Sequence, residues 1–419
     1  MAGAALQKAF RTCPGPLVTM EARPRSGGAV QEAAVARPVP LTWQGDPHVM
    51  RHIRHLRYVA LLCGAIVPAV AIVPTVAVLA AATPAQVAWT ITPGPTSGFG
   101  ILHDVYAASP TNAWAVGSQS GGGTGRRNQL IEHWNGRAWQ VATVPAVSEF
   151  TTELYSVSGT SANDIWAVGD QETAASGAYI PEVTLIMHWD GTSWTPVPSP
   201  NPTAFVNRLV MVKAFALNDV WASGFAEATD GQPFTNFTLH WNGTSWSQIS
   251  TPDPAMMVAS GSSGSDVWFM GATPWHWNGS SFTQVPGPVS HTVAAISPTA
   301  AWGVSESNGV ATLNRWNGST WSTFQTLPSS DALYGLAALS ANDVWAVGNQ
   351  TIDANGDEVT LTLRWNGTGW ATVPSPNPQP GFLPGLLGAD AAAPATVFAV
   401  GQGSGTVGNQ TLAMVNSNG

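Results

Sequence analysis

One short segment, MHWDGTSW at residues 187–194, constrains the fold of this 419-residue chain more than any other feature. Related segments follow or precede it, namely HWNGRAW from His133, HWNGTSW from His240, HWNGSSF from His276, RWNGSTW from Arg315 and RWNGTGW from Arg364. A catalytic motif is normally present once, whereas a motif that recurs at near-constant spacing indicates a repeat architecture. The sequence therefore predicts an array of similar structural units.

The most complete unit, residues 154–202, predicts four short strands separated by turn-forming residues. The strands are expected at 154–158, 165–169, 184–189 and 194–197. We expect a two-residue type I′ loop at Asp190 and Gly191, with positive φ at both positions. In that register Trp189 and Trp194 lie diagonally on one face of the hairpin. Two indoles in each unit form an apolar surface that a neighbouring unit would cover.

The aromatic markers predict seven units, of which the last is incomplete. Its final residues, 413–419, have Val415-Asn416 where other units have Trp-Asn, and no fourth strand follows. The segment AWTITP at residues 88–93 matches the fourth-strand pattern and precedes the first unit. We therefore predict an all-β, seven-bladed β-propeller of four-stranded blades, whose last blade is completed by the strand around Trp89. An open solenoid is the alternative.

The repeat motifs carry a resemblance to a known class of protein. WAVG at Trp114, Trp166 and Trp345, with HWNGTSW and VPSPNP, resembles the tryptophan-rich repeat propellers of secreted bacterial proteins, often described as kelch-like or galactose-oxidase-like. The resemblance spans the chain from Trp89 onward and implies a fold, because propellers host many unrelated activities.

Two enzyme types associated with such propellers fit the residues poorly. A galactose-oxidase site implies copper and a cysteine-crosslinked tyrosine, but both cysteines, Cys13 and Cys63, precede the repeats. A sialidase site implies three clustered arginines and a tyrosine nucleophile, and three arginines remain for that role on connecting loops, Arg126, Arg127 and Arg208. Neither activity is expected.

The N-terminal part of the chain has the layout of an export signal. A basic cluster at residues 51–57 is followed by an uncharged apolar segment at 58–82 and then by small residues up to Ala85. We predict a signal peptide or transmembrane anchor at 50–85, a disordered or mis-assigned extension at 1–49, and the propeller at 86–419. The protein is expected to be secreted and extracellular after cleavage, or anchored by residues 58–82 with the propeller outside.

Charge and repeat position exclude two further classes of partner. From Gln86 onward the chain has seven basic and 21 acidic residues, a net charge of −14, which opposes binding to nucleic acid. The four histidines of the repeat occupy one position in four different blades, away from the axis, so they are not expected to share a metal ion. We predict structural roles for them, packed between sheets or bonded to a cross-strand serine.

Candidate binding residues lie in the connections between the second and third strands, which vary in length and sequence while the tight turns do not. Variable loops on a rigid scaffold usually carry specificity. The candidates are Arg126, Arg127, Asp170, Glu172, Tyr179, Glu227, Asp230, Asp353 and Asp357. Asp353, Asn355 and Asp357 also have the alternating oxygen ligands of a weak calcium site, although Glu358 stands where an EF-hand loop requires glycine. No other cofactor is expected.

Two functions are compatible with these residues. The first is a monomeric, non-catalytic, exported binding or scaffold propeller that recognises a glycan, a peptide or a cell-envelope protein through its variable loop face. The second is a glycoside hydrolase or lyase that acts on polysaccharide with paired loop carboxylates such as Asp170 and Glu172 as acid and base.

Overall fold

The computed structural model describes residues 88–92, 94–95, 99–120, 126–174, 180–378, 383–393, 395–405 and 408–417. These residues belong to one compact unit, Leu79–Gly419. The predicted N-terminal extension and signal or anchor segment lie outside them, and so does Tyr179. Within the described residues the regular elements are β-strands, and no helix is long and apolar enough to cross a membrane.

The strands follow one another in four-strand units, each named here after its first strand. Strand β1 spans Trp89–Ile91. The β2 unit has β2 (Gly100–Ser109), β3 (Asn112–Ser120), β4 (Arg127–Trp134) and β5 (Trp139–Val141). The β6 unit has β6 (Thr152–Ser161), β7 (Asp164–Glu172), β8 (Glu182–Trp189) and β9 (Trp194–Pro196). The β10 unit has β10 (Val206–Ala216), β11 (Asp219–Glu227), β12 (Thr235–Trp241) and β13 (Trp246–Ile249).

The second half of the chain repeats this pattern. The β14 unit has β14 (Met257–Ser263), β15 (Asp266–Met270), β16 (Pro274–Trp277) and β17 (Phe282–Gln284). The β18 unit has β18 (Thr292–Ser297), β19 (Ala300–Ser307), β20 (Val310–Trp316) and β21 (Trp321–Thr326). The β22 unit has β22 (Asp331–Ser340), β23 (Asp343–Thr351), β24 (Glu358–Trp365) and β25 (Trp370–Thr372). The β26 unit has β26 (Leu383–Ala392), β27 (Thr396–Gly405), β28 (Gly408–Ser417) and, as its fourth strand, β1.

The units form a β-propeller in which each sheet is antiparallel and adjacent sheets meet face to face. In the described residues there are five four-stranded sheets and one eight-stranded sheet. The eight-stranded sheet is the β6 and β10 units joined by a single parallel bridge between Val206 and Glu182. The first strands of the units contact one another in a closed series, in which β26 contacts β2. An open solenoid, which would leave its end units apart, is therefore not what the chain forms.

The two ends of the propeller share one sheet, as the sequence predicted. Trp89 pairs with Asn416 and Ile91 with Met414 in the antiparallel register of β1 and β28. The backbone amide of Thr92 donates to the carbonyl oxygen of Ala413 at 2.9 Å. This pairing removes the free edge that an incomplete last unit would expose.

The hairpin of the repeated motif differs from the type I′ prediction. Trp189 pairs directly with Trp194, so the loop has four residues rather than two. Gly191 has a φ of 94°, and Asp190 is not among the positive-φ residues. The Asp190 side chain makes the turn instead, because its Oδ1 accepts hydrogen bonds from the amides of Thr192 and Ser193 at 2.8 and 2.9 Å. The two indoles are consequently direct cross-strand neighbours, with centroids 6.0 Å apart.

Indoles from consecutive units interlock between the sheets, as predicted. Trp114 on β3 contacts Trp189 and Trp194 of the next unit, with ring centroids 4.8 and 5.4 Å away. The same arrangement recurs around the propeller, with Trp166 against Trp241 and Trp246, Trp268 against Trp316 and Trp321, and Trp302 against Trp365 and Trp370. Each buried aromatic ring removes a large apolar area from water, so this layer is the main source of cohesion between sheets.

The β26 unit departs from this arrangement, and its register corrects one sequence assignment. Asn416 pairs with Trp89 where other units pair two aromatic rings, so Asn416 rather than Val415 occupies the third-strand tryptophan position. Trp345 of the preceding unit contacts Trp89, with centroids 5.4 Å apart. On the other side of the β26 unit, Phe398 packs on Trp134 and Trp139 of the β2 unit.

The repeat histidines are structural, but their partner is not the predicted serine. The ring of His188 stacks on Trp166, and its Nε2 lies 2.8 Å from Oδ1 of Asp164 at the start of β7. Burial raises the pKa of Asp164, but hydrogen bonds from His188 and Thr160 outweigh burial, and the pKa is lowered overall. The same pairing occurs at His240 with Asp219, His276 with Asp266 and Arg364 with Asp343, and His133 uses Asn112.

The innermost strands are joined mainly by side chains rather than by backbone ladders. Oδ2 of Asp390 accepts a hydrogen bond from the amide of Ala107 at 2.8 Å, and Oδ2 of Asp104 accepts one from Val157 at 3.0 Å. Most first strands also carry a β-bulge, which leaves one residue unpaired; in consecutive units these residues include His103 and Tyr155, whose rings lie 5.2 Å apart. The bulges thus bring side chains of different units together at the centre.

Candidate ligand-binding groove

The strand order divides the propeller surface into two faces. The tight-turn face holds the turns between first and second strands and between third and fourth strands. The loop face holds the connections between second and third strands and between consecutive units. The described residues among the candidates predicted from the sequence belong to the loop face.

A groove on the loop face lies between the β6 and β10 units. Its volume is about 410 Å³. The groove is lined by Glu172, Ile180, Glu182, Phe205, Val206, Arg208, Phe225, Glu227, Asp230 and Phe234. Three of the predicted candidates, Glu172, Glu227 and Asp230, are therefore brought together. An adjoining cavity of about 430 Å³ shares Phe205 and Asp230 with the groove and adds Ala204, Ala228 and Thr229.

The connection between the two units is held firmly at the base of the groove. The amide of Glu182 donates to the carbonyl oxygen of Phe205 at 2.8 Å. The side-chain nitrogen of Asn207 donates to the carbonyl oxygens of Glu182 and Thr203, and the Thr203 hydroxyl donates to the carbonyl oxygen of Glu227 at 2.9 Å. One backbone bond and the buried side chain of Asn207, together with Thr203, therefore tie β8, β10 and β11 together at the base of the groove.

Arg208 is the central cation of the groove. The sequence analysis placed it on a connecting loop and did not select it as a binding residue, whereas it lies within β10. Its guanidinium lies 2.8 Å from Asp170 and 2.7 Å from Glu182. The rings of Tyr155 and Phe225 lie on either side, each with its centroid 5.5 Å from the guanidinium carbon. Two carboxylates and two aromatic rings thus surround the guanidinium of this arginine. The innermost-strand sequence NRLVMVK, with a basic residue in an apolar strand, is the signal that could have identified it.

Asp170 supports the groove from beneath and does not line it. Its carboxyl group is buried, and it is paired with Arg208. Burial raises the pKa of Asp170, Arg208 offsets part of that effect, and Glu182 and Glu153 raise it further. Asp170 and Glu172, which the sequence suggested as an acid and base pair, have different surroundings, because Glu172 lines the groove while Asp170 is buried against Arg208.

Glu227 is the one buried acid on this face without a partner among the described residues. It is 7% exposed and lines the groove. No donor or cation in the described part of the chain bonds to its carboxylate, whereas its carbonyl oxygen accepts a hydrogen bond from the Thr203 hydroxyl. Beside it, Phe225 and Phe234 form an edge-to-face pair with centroids 5.0 Å apart, and Phe234 is largely exposed.

Arg126 and Arg127 lie on the loop face of the β2 unit rather than in the groove. Arg127 forms an ion pair with the buried Glu153, whose second oxygen accepts a hydrogen bond from the Tyr155 hydroxyl at 2.6 Å. Arg126 donates to the carbonyl oxygen of Glu149 at 2.6 Å and lies over the ring of Phe150. Arg127 therefore joins the β2 unit to the β6 unit, and Arg126 holds the connection between them.

The candidate calcium loop lies apart from the groove, between β23 and β24. Oδ1 of Asp353 accepts hydrogen bonds from the amides of Asn355 and Asp357 at 2.9 and 3.0 Å. These bonds lower the pKa of Asp353. Among the described residues, no group of three or more His, Cys, Asp or Glu side chains is placed to hold a metal ion.

Comparison with known proteins supports the fold and gives no family. No protein-family model matches the sequence, and no curated protein matches it. Among solved structures, the chain is similar to YCF48 bound to D1 peptide, with 16% identity, a TM-score of 0.50, and coverage of 79% of this chain and 96% of that one. It is also similar to YCF48 from Cyanidioschyzon merolae, with 16% identity, a TM-score of 0.46, and coverage of 78% and 98%. At this identity the likeness supports the β-propeller fold alone.

Proposed function

We propose that the protein is a non-catalytic binding propeller that holds a polypeptide ligand in the loop-face groove. The groove between the β6 and β10 units carries this proposal, because it combines fixed walls, three phenylalanines and several carboxylates at one inter-unit junction. Binding pockets typically combine apolar walls with a few placed polar groups. The fold fits this function, since a structurally similar propeller, YCF48, has been solved bound to D1 peptide.

The finer features of the proposal follow from the repeat. We propose seven blades, because the closed series of first strands runs through β2, β6, β10, β14, β18, β22 and β26. We also propose that residues 50–85 direct export and that the protein acts outside the membrane as a monomer. Mass spectrometry of the exported product would test this, and a product that retains residues 50–85 in the cytoplasm would contradict export.

Catalysis is not part of the proposal. Asp170, one member of the suggested acid and base pair, is buried against Arg208 and is not placed to meet a polysaccharide. Polysaccharide turnover by the purified chain that is lost in Glu172→Gln would replace the binding proposal with a glycoside hydrolase or lyase. Calcium is not part of it either, and millimolar calcium should leave the thermal midpoint unchanged relative to EDTA.

Panning of a random dodecapeptide display library on the purified full chain tests the binding proposal. Ala228 is exposed beside the groove, so Ala228→Trp should obstruct it and abolish enrichment of the selected peptides. Asn355→Trp, which adds the same indole to an exposed loop outside the groove, is the matched control and should retain enrichment. Equal enrichment on both variants, or binding of glycans alone on a glycan array, would contradict the proposal.

A further inference from the structure

The loop face contains three buried carboxylates near the junction of the β2, β6 and β10 units, and they differ in whether a cation of the chain pairs with them. Glu153 is 4% exposed and is paired with Arg127, while Asp170 is 3% exposed and is paired with Arg208. Glu227 is buried to a similar degree, at 7% exposure, but no cation of the described chain reaches it. Two of the three buried acids therefore have an internal counter-ion and the third does not.

The Glu227 side chain has lost most of its contact with water without gaining a charged partner in the described chain, so an external cation that reached it would supply a counter-ion. Arg208 lines the same groove, but its guanidinium is paired with Asp170 and Glu182 and not with Glu227. Glu172, which occupies the same repeat position one unit earlier, is more accessible and accepts a weak hydrogen bond from the Thr151 amide at 3.4 Å. Glu227 thus differs from the equivalent residue of the preceding unit in being more buried and in having no hydrogen-bond donor to its carboxylate among the described residues. It also lines the groove.

The charges around the groove favour a positive ligand. Glu172, Glu182, Glu227 and Asp230 line it together with the single, already paired Arg208. Clefts lined by one sign of charge attract ligands of the opposite sign. The propeller as a whole carries 21 acidic and seven basic residues from Gln86 onward, which adds to the same field.

The apolar walls of the groove indicate that the charged group of the ligand is attached to, or flanked by, apolar groups that pack on these walls. Phe205, Phe225 and Phe234 line the groove, and Phe225 already has the Arg208 guanidinium over its ring. Lys and Arg side chains bury their methylene stems against such surfaces while the charged end meets a carboxylate. Aromatic faces also attract cations directly.

We propose that the groove binds a polypeptide segment through a Lys or Arg side chain that pairs with Glu227, with neighbouring apolar residues packed on the phenylalanines. This inference rests on the proposed binding function and specifies its ligand chemistry. The arrangement completes the counter-ion pattern of the face, because the ligand supplies to Glu227 what Arg127 and Arg208 supply to Glu153 and Asp170.

Four fluorescently labelled nonapeptide pools, which differ only in a fixed central arginine, lysine, citrulline or glutamate, test this inference on the full chain. The arginine and lysine pools should bind about tenfold more tightly than the citrulline pool, which keeps the shape of arginine without its charge. Glu227→Gln should reduce this ratio to below about threefold. Glu306→Gln removes a charge from an exposed position at the end of β19, outside the groove, and should leave the ratio unchanged.

The outcomes separate the ligand chemistry from the function. If all four pools bind equally and Ala228→Trp abolishes binding, the groove binds peptides but the cationic requirement is wrong. If Glu227→Gln keeps the full preference for arginine over citrulline, Glu227 is not the partner and the inference is overturned. If no pool binds, or Ala228→Trp leaves every pool bound, the proposed function fails and the inference fails with it. A thermal midpoint that is not lowered in either glutamine variant confirms that a loss of the charge preference is not caused by unfolding.

Discussion

The β6 and β26 units have the same strand order but different interfaces with their neighbours. The β6 unit presents Trp189 and Trp194 to Trp114, and Met187 fills the core beside them. The β26 unit presents Trp89 and the buried Asn416 to Trp345. On its other side it meets Glu132 of the β2 unit, which occupies the repeat position of Met187 and is fully buried. The comparison shows that the repeat is least regular where the two ends of the chain meet.

Both irregular residues lack partners among the described residues. Neither oxygen of Glu132 and neither side-chain polar atom of Asn416 has a hydrogen-bond partner there. Buried polar groups without partners cost stability that the equivalent Met or Trp does not. The two interfaces of the closing unit therefore contain unfavourable groups that the β6 unit replaces with Met187 and Trp189, and the following predictions test this difference from the largest effect to the smallest.

Removal of the β1 strand should have the largest effect, because it opens the β26 unit and exposes an edge. A chain truncated to begin at residue 96 should aggregate or lose its cooperative unfolding transition, as measured by gel filtration and circular dichroism. A chain truncated to begin at residue 88 keeps Trp89 and its pairing with Asn416, and should fold. A soluble, cooperatively folded product from the shorter chain would show that the shared sheet is dispensable.

Glu132→Met should make the closing interface resemble that of the β6 unit. Burial raises the pKa of Glu132 from 4.5 to about 7. The unfolded chain loses this proton near 4.5 and the folded chain near 7, so stability falls as pH rises between these values and levels off above them. At pH 8 the substitution should stabilise the chain by about 3 kcal/mol in urea unfolding, with little gain at pH 4.

The reciprocal change in the β6 unit is the control for this effect. Met187→Glu should destabilise the chain at pH 8 by a comparable amount and introduce a pH dependence of the same sign. A pH-independent gain from Glu132→Met would indicate that packing, not ionisation, distinguishes the two interfaces.

Asn416→Leu should have a smaller stabilising effect. Leucine keeps the branching of asparagine at Cγ and removes two buried polar atoms that have no hydrogen-bond partner among the described residues. We expect a gain of about 2 kcal/mol in the free energy of unfolding. Asn366→Leu is the contrasting substitution at an exposed turn. It should destabilise its hairpin, because the Oδ1 of Asn366 accepts hydrogen bonds from the amides of Thr368 and Gly369. A loss of stability in Asn416→Leu would contradict the interpretation.

His188→Arg should have the smallest effect. It exchanges the residue of the β6 unit for the one that the β22 unit uses, where Arg364 makes two hydrogen bonds of 2.8 Å to Asp343. Asp164 stands in the equivalent place, so the change in unfolding free energy should stay below about 1 kcal/mol. His188→Leu removes the partner of Asp164 and should cost more. Equal losses in both variants would mean that the pair does not contribute.

The repeat made the fold predictable because each unit carries the same aromatic positions in the same order. The tight turn was less predictable, since Asp190 supplies the turn bonds from its side chain and no type I′ backbone is needed. The sequence analysis aligned Val415, rather than Asn416, with the third-strand tryptophan of the other units. The β28 strand has no tryptophan, so only the strand register fixes this alignment.

The groove was predictable only in part. Glu172, Glu227 and Asp230 stood out because the sequence analysis assigned them to variable loops, although Glu172 and Glu227 are the last residues of β7 and β11. Arg208 and Phe225 were not selected, because only the register of β10 with β11 makes them cross-strand partners and brings the guanidinium over the ring. Unpaired burial, which distinguishes Glu227 from the acids around it, depends on the placement of every nearby cation and has no signature in the sequence.

The pairing of β1 with β28 also fixes where the chain enters and leaves the propeller. Trp89 and Asn416 are adjacent and both lie at the tight-turn face, as Trp194 and Trp189 do in the β6 unit. A linker that joined residue 88 to residue 417 would therefore be short, and a circular permutant opened in another connection should fold. Any tether or fusion at either position would leave from the side opposite the groove, so immobilisation through the termini keeps the loop face open to large partners.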